Sequence, residues 1–182
     1  MNKNMSKEKK YQRPNWVQYF IAITKIIGTR SSCDRLRAGA VLVKDNRIIA
    51  TGYNGAPQGL PNCDEIGHMM EEGHCVRTIH AEHNAILQAA KLSGTSTDGT
   101  TLYMKYLPCI HCCKYIVAAG VKRIVYVADY RASIATEYLK GAGIDVDQYK
   151  ENEDWNNMVI DLFSKDIEVM HPKEGNVKIK EE

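Results

Sequence analysis

No stretch of this 182-residue chain is apolar for the roughly 18–20 residues a membrane-spanning helix needs, which argues against a helical membrane protein. The basic start, MNKNMSKEKK, is not followed by a roughly 7–15-residue apolar core and a small-residue cleavage site, so no secretory leader is expected. Neither sign of charge dominates: 24 Lys plus Arg against 22 Asp plus Glu leave a formal +2. That is too weak to imply a surface that coats nucleic acid. Bulky aromatics are scarce, with two Phe and two Trp against ten Tyr, and no basic run lies outside the N-terminal arm. A protein that extrudes and reads a base from a polynucleotide needs a cationic path with stacking rings, and little of that is present. No internal repeat and no second domain is visible, and the length suits one domain. What remains is ordinary globular material, 44% hydrophobic and 25% charged. Six cysteines would allow three disulfides, yet Cys109, Cys112 and Cys113 crowd into one short segment. Without a leader, a reducing cytoplasm and metal ligation are the expectation.

Residues 1–12 read as a polar, Lys-rich arm, 13–150 as the folded domain, and 151–182 as a C-terminal helix and polar tail. With Pro14 taken as a first helical position, Trp16, Val17, Phe20, Ile21, Thr24 and Ile27 recur at helical spacing up to Gly28. The β-branched runs 39–44 and 47–52 flank Asp45-Asn46, a two-residue hairpin signal. Residues 52–64 are irregular by composition. Alternation then follows: helix 80–93, strand 100–105, helix 109–119 opened by Pro108, strand 123–128, a helix near 133–140, a weaker strand 144–148 and an amphipathic helix 153–164. This order predicts a three-layer α/β domain with parallel later strands and helices on both faces. The Trp16/Phe20 face and the Met69-Met70 pair read as core.

The sharpest chemical signal is His80-Ala81-Glu82 followed by Pro108-Cys109-Ile110-His111-Cys112. The residues between His80 and Cys109 are enough for a helix, a turn and a strand, so both helix starts can return to one sheet edge. Cys-x2-Cys spacing lets two sulfurs grip one tetrahedral zinc, and His80 supplies a third ligand. Thiols at a helix start are favoured as thiolates by the macrodipole. Three protein ligands leave one position open, the mark of a catalytic site. Glu82 sits in the same first helical turn as the His80 ligand without being needed as one. Two thiolates blunt the acidity of the metal, so a neighbouring carboxylate that carries the proton is required. A lone Cys-x2-Cys is as often half of a structural zinc site, and the specificity lies in the combination.

His-x-Glu with Pro-Cys-x-x-Cys resembles the signature of the zinc-dependent deaminases. Within that superfamily the chain is most similar to deoxycytidylate (dCMP) deaminases of bacteria and their phages. The resemblance rests on Gly52-Tyr53-Asn54-Gly55-Ala56-Pro57, on Arg77 through Ile86 (RTIHAEHNAI) and on Leu107-Pro108-Cys109, and it covers residues 14–150. It implies a cytidine-deaminase-like α/β/α sandwich on a mixed five-stranded sheet, and conversion of dCMP and water to dUMP and ammonia for thymidylate synthesis. It makes His80, Cys109 and Cys112 the zinc ligands and Glu82 the proton shuttle. Asn54 would bond the sugar, although an asparagine there can equally stabilise its own loop. Ala81 would be a further substrate contact, and Gly52, Tyr53, Asn54 and Gly55 an effector-binding loop. Tyr130, at the carboxyl end of the 123–128 run where ligands gather in α/β sheets, is either a nucleotide contact or an ordinary strand-end tyrosine. The family is commonly a hexamer of identical chains, activated by dCTP and inhibited by dTTP, with Mg2+ accompanying the triphosphate.

The resemblance also points to a second, structural zinc on Cys33, Cys63, His74 and Cys75, with His68 in reserve; free cytosolic thiols are the other reading. Arg30, Arg35 and Arg37 are candidates for a phosphate, with no choice among them. Cys113 reads as packing, and His83 and His111 are not needed as ligands. Two rivals remain: a deaminase of tRNA adenosine or polynucleotide cytosine, and a noncatalytic zinc-stabilised binding module. Glu82 and the open coordination position speak against the second.

Overall fold

The computed structural model describes residues 13–91, 95–130 and 133–153, and beyond them 155, 157 and 159. The chain divides after Tyr149 into two compact units. In the second, Asn152 Oδ1 accepts from the Trp155 N–H at 2.8 Å, as a helix N-cap does. The expected arm, most of the expected helix over 153–164 and the tail lie outside the described residues.

Helix α1 (Trp16–Gly28) starts at a capping box: Asn15 Oδ1 accepts from the Gln18 N–H at 2.9 Å, and Gln18 Oε1 accepts from the Asn15 N–H at 3.0 Å. Asn15 is therefore the cap and Pro14 stands outside the helix, two residues before the first helical position, Trp16. Strands β1 (Gly39–Lys44) and β2 (Arg47–Tyr53) form the expected antiparallel hairpin. Its turn residues, Asp45 at φ 49° and Asn46 at φ 58°, both take the left-handed conformation that a two-residue turn needs to match strand twist.

A one-turn helix α2 (Cys63–Ile66) begins within the irregular stretch expected over 52–64, and beyond it lies an unexpected second hairpin of two-residue strands, β3 (Met70–Glu71) and β4 (His74–Cys75), joined by Glu72 and Gly73 at φ 46° and 76°. Then come α3 (Ala81–Lys91), β5 (Thr101–Tyr106), α4 (Ile110–Ala118), β6 (Arg123–Ala128), α5 (Ser133–Gly141) and β7 (Asp145–Gln148). The main sheet runs β2-β1-β5-β6-β7. β1 pairs antiparallel with β5, while β5, β6 and β7 are mutually parallel, so the sheet is mixed and five-stranded.

Two cores follow from strand alternation. In β1, Ala40 and Leu42 pack on one face with Ala81, Ala85 and Ala89 of α3 and Ile116 of α4. Val41 and Val43 pack on the other with Phe20 and Ile21 of α1. Successive side chains of a strand point to opposite faces, so a strand buried along its whole apolar run requires a helix layer on each side. Three expected core residues are not buried. Trp16 is 54% exposed and stacks on buried Phe20 with centroids 5.7 Å apart, because the start of α1 overhangs the sheet. Met69 and Met70 are 49% and 51% exposed, since the small hairpin carries them away from both cores.

Candidate active site

His80 ends an extended segment bridged to the loop after β2, where Gly55 and Ile79 exchange backbone bonds of 3.3 and 2.9 Å. α3 begins at the next residue, with the Asn84 N–H bonded back to the His80 carbonyl at 2.8 Å. Cys109 is the N-cap residue of α4, just past the carboxyl end of β5. The two helix starts therefore meet at the sheet edge where ligands gather in α/β proteins. His80 Nδ1 lies 3.6 Å from Cys109 Sγ and 3.4 Å from Cys112 Sγ, and one ligand atom from each residue falls within 4.8 Å of the others. This imidazole and two-sulfur set, lacking a fourth protein donor, fits zinc with a position left for a small molecule.

The electrostatics agree. A hydrogen bond from Cys112, helped by the Cys112 backbone N–H and by His80, pulls Cys109 down to about 3. Cys112 is pushed up by that same bond and by burial. His80 is raised by its bond with Cys109. Glu82, 7% exposed, is raised by burial, with His80 opposing. Its Oε1 lies 3.9 Å from His80 Nδ1, beyond hydrogen-bond reach, so it stands beside the donor group without joining it.

His80, Glu82 and Cys109 lie on a cavity of about 240 Å³ that Asn54, Ala81 and Tyr130 also line. Asn54 is buried, and half of its amide is committed: Oδ1 accepts from the Ala38 N–H at 2.8 Å and Nδ2 donates to the Leu36 carbonyl at 2.7 Å. One N–H and one lone pair remain for a ligand, so loop-holding and ligand contact are compatible. The loop expected to bind an effector divides. Asn54 faces this cavity, whereas Gly52 and Tyr53 line a separate one of about 350 Å³ along β2. Gly52 also has a packing role, since a Cβ there would stand 2.2 Å from the Ala81 carbonyl oxygen and 2.3 Å from the Ala85 nitrogen. Gly55 holds the bridge to Ile79. Of the three arginines, Arg35 lines the cavity. Lys105 and Tyr106 line it too, and the sequence signal for them is their place at the carboxyl end of β5.

A second donor cluster lies on the loops flanking β1 and β2. Cys33, Cys63 and His68 bring ligand atoms within 4.8 Å of one another, and Cys63 Sγ is 3.7 Å from Cys75 Sγ. Burial, with the neighbouring Cys75 and Cys33, pushes Cys63 up to about 12. Burial also works on Cys75, yet backbone bonds at Arg77 and Met69 bring it down to about 7. His68 Nε2 meets Asp34 Oδ1 at 2.9 Å, while its buried Nδ1 has no hydrogen-bond partner. A carboxylate on one ring nitrogen and an orphaned nitrogen on the other is the usual outfit of a metal-ligating histidine. His74 neighbours Cys75 on β4 and, like Cys33 and Cys75, lines the cavity. Cys113 is fully buried in the core; His83 stacks on Tyr115 at 4.1 Å; neither His83 nor His111 joins a donor group among the described residues.

The model of the cytidine and deoxycytidylate deaminase zinc-binding region matches residues 14–128. ComE operon protein 2 of Bacillus subtilis is 44% identical over 156 residues, 85% of this chain and 80% of that protein. The deoxycytidylate deaminase of Saccharomyces cerevisiae is 37% identical over 149 residues; the match covers 78% of this chain and 47% of the longer yeast protein. The crystal structure of dCMP deaminase from cyanophage S-TIM5 in complex with dCMP and dUMP superposes with a TM-score of 0.67 at 32% identity, covering 76% of this chain and all of the phage one. With its fold, its donor set and its sequence matched together, the chain belongs to the zinc-dependent cytidine and deoxycytidylate deaminase family.

Proposed function

We propose that the chain hydrolyses dCMP to dUMP and ammonia, with His80, Cys109 and Cys112 holding zinc and Glu82 moving the protons. The observation that carries this reading is the buried Glu82 beside a three-donor group on a cavity. It is supported by the phage relative bound to dCMP and dUMP, which this chain covers in full. Zinc in that group supplies Lewis acidity at its open position. Glu82 accepts a proton from the attacking water and returns it to the ring nitrogen N3; a second proton goes to the departing amine. The C4–O bond forms, the C4–N bond breaks, one water is consumed and one ammonia leaves. A carboxyl raised by burial is suited to both halves of this traffic, because it holds a proton more readily than an exposed one. Asn54 offers its remaining N–H and lone pair to the sugar, Ala81 packs against the base, and Tyr130 closes the wall.

The test is ammonia release by the zinc-loaded protein on dCMP, dCTP, deoxycytidine, CMP and a tRNA transcript. Turnover led by dCMP is expected. Turnover on tRNA with silence on nucleotides would overturn the reading, and so would silence on every substrate. The same assay with dCTP or dTTP and Mg2+ reads the regulation that the resemblance implies, and sedimentation reads the hexamer of a cytoplasmic enzyme.

A second zinc, structural, is proposed on Cys33, Cys63, His68 and Cys75, with Asp34 orienting the imidazole. The orphaned His68 Nδ1 supports it.

A further inference from the structure

His83 and Tyr115 stand outside the donor group, yet their places on the chain match its ligands. His83 comes three residues after His80, and Tyr115 three residues after Cys112. Residues three apart on a helix share a face, with a rise of roughly 4.5 Å between them. His80 directly precedes α3 and its carbonyl accepts the Asn84 N–H at 2.8 Å, so it is already in helical register. Each of these two ligands therefore has a ring one turn below it on its own helix. The two rings lie flat on each other, with centroids 4.1 Å and planes 14° apart.

The buried core leaves the spacing of α3 and α4 open. α3 contributes Ala81, Ala85 and Ala89 to it, and α4 contributes Cys113 and Ile116. Methyl groups let α3 lie close on the sheet, but their reach toward a neighbouring helix is short. On the side of β2, α3 is tied by Asn84, whose Nδ2 donates to the Tyr53 carbonyl at 2.9 Å. On the side of α4, the tie in the same turn is the stack of His83 on Tyr115. It lies at the surface, with His83 half-buried and Tyr115 49% exposed, so removing it leaves the core whole. A metal group is sensitive to this spacing. His80 Nδ1 and Cys112 Sγ, one from each helix start, are 3.4 Å apart, and metal–ligand bonds are held to within about 0.2 Å.

We propose that His83 and Tyr115 are positioning residues: their stack sets the distance between α3 and α4 one turn below the ligands and holds His80 at the spacing from Cys109 and Cys112 that the metal needs. The inference rests on those three residues holding zinc, and it deepens that reading. A stack of flat rings raises the fraction of molecules whose donors already stand together, so the metal is retained more tightly with no new bond to it.

The experiment uses the zinc-loaded full chain. A chelator is added with an alkylating reagent, and mass spectrometry of the peptides reads how fast each cysteine is labelled as its metal leaves. Cys109 and Cys112 report on this group, and Cys63 and Cys75 on the other donor cluster. In His83→Ala and in Tyr115→Ala, labelling of Cys109 and Cys112 is expected to quicken about 3- to 10-fold, with Cys63 and Cys75 labelled as in wild type. The double variant should be no faster than either single one, since each already breaks the stack. His83→Phe, which keeps a flat ring, should keep the wild-type rate. Wild-type labelling of Cys109 and Cys112 in both alanine variants would overturn the clamp. So would equal acceleration at both clusters, additive single effects, or a His83→Phe variant as fast as the alanine one. If wild-type Cys109 and Cys112 are labelled at one rate with and without added zinc, the metal reading itself falls, and the clamp with it.

Discussion

At the scale of the residue, Glu82 stands in conflict with its surroundings. A carboxylate taken out of water loses hydration, and His80, a backbone N–H and the Cys112 thiol only partly offset that loss. Replacing it by Gln keeps the shape and removes the proton carrier, so Glu82→Gln should retain its zinc, measured by metal analysis, while turnover of dCMP falls by at least about 10²–10⁴-fold. Near-normal turnover in a zinc-replete variant would remove Glu82 from the chemistry. The same substitution should raise the melting temperature of the zinc-free protein, and the sign of its pH dependence follows from the direction of the shift. The folded-state affinity of Glu82 for a proton exceeds that of the unfolded chain, whose value lies near 4.5. Below that value both states are protonated and the two proteins should melt alike. As pH rises through the window above it, the wild type loses stability that Gln keeps, and the gap widens until the folded carboxyl has ionised.

At the scale of the element, catalytic geometry depends on how closely α3 lies on β2. Gly52 makes that approach possible, because the Ala81 carbonyl and Ala85 nitrogen occupy the space of its missing Cβ. Gly52→Ala must therefore push α3 outward at the turn that carries His80 and Glu82. A cost of about 1–3 kcal/mol and a melting point several degrees lower are expected, together with a lower kcat. An unchanged melting point would show that α3 sits less tightly than this contact requires. Hydrophobic period made most elements legible: the Val41/Val43 and Ala40/Leu42 alternation, the Asp45-Asn46 turn and the β-branched run over 123–128 all carry their structure on the surface of the sequence. The metal group was legible as well, since its three ligands open two helices that the alternation of elements must bring together. The hairpin at 70–75 was not, because strands of two residues have no period to read. Its invisibility left His68 only in reserve, since nothing in the sequence says which histidine near Cys75 approaches Cys33 and Cys63. Lys105 was missed for a related reason: a lysine near a strand end carries no signal until the strand order places it beside the cavity.

At the scale of the whole molecule, order is supplied by two different means. The sheet is held by burial on both faces, from Phe20 and Ile21 on one side to Leu102, Ile116 and Ile124 on the other. The segments 29–38 and 54–80 contribute almost nothing to either core, with Ala38 the one residue packed against it. Yet they carry Arg35, Asn54 and His74 to the cavity. Backbone bonds to Asn54 fix part of this layer, and the Cys33/Cys63/His68/Cys75 cluster joins its two halves at a single point. Metal bound there converts its binding energy into order for exactly those segments that lack hydrophobic support. The native protein should then hold about two zinc ions per chain, and Cys63→Ser about one. Hydrogen exchange followed by mass spectrometry should show protection lost over 29–38 and 54–80 in Cys63→Ser, with β1, β5 and β6 unchanged. A uniform loss of protection would mean that the cluster supports the sheet itself, and one zinc in both proteins with identical exchange would mean that its thiols are unmetallated. Because Arg35 and His74 lie within two residues of Cys33 and Cys75, a metal bound by that cluster would also set where the mouth of the cavity stands relative to Glu82.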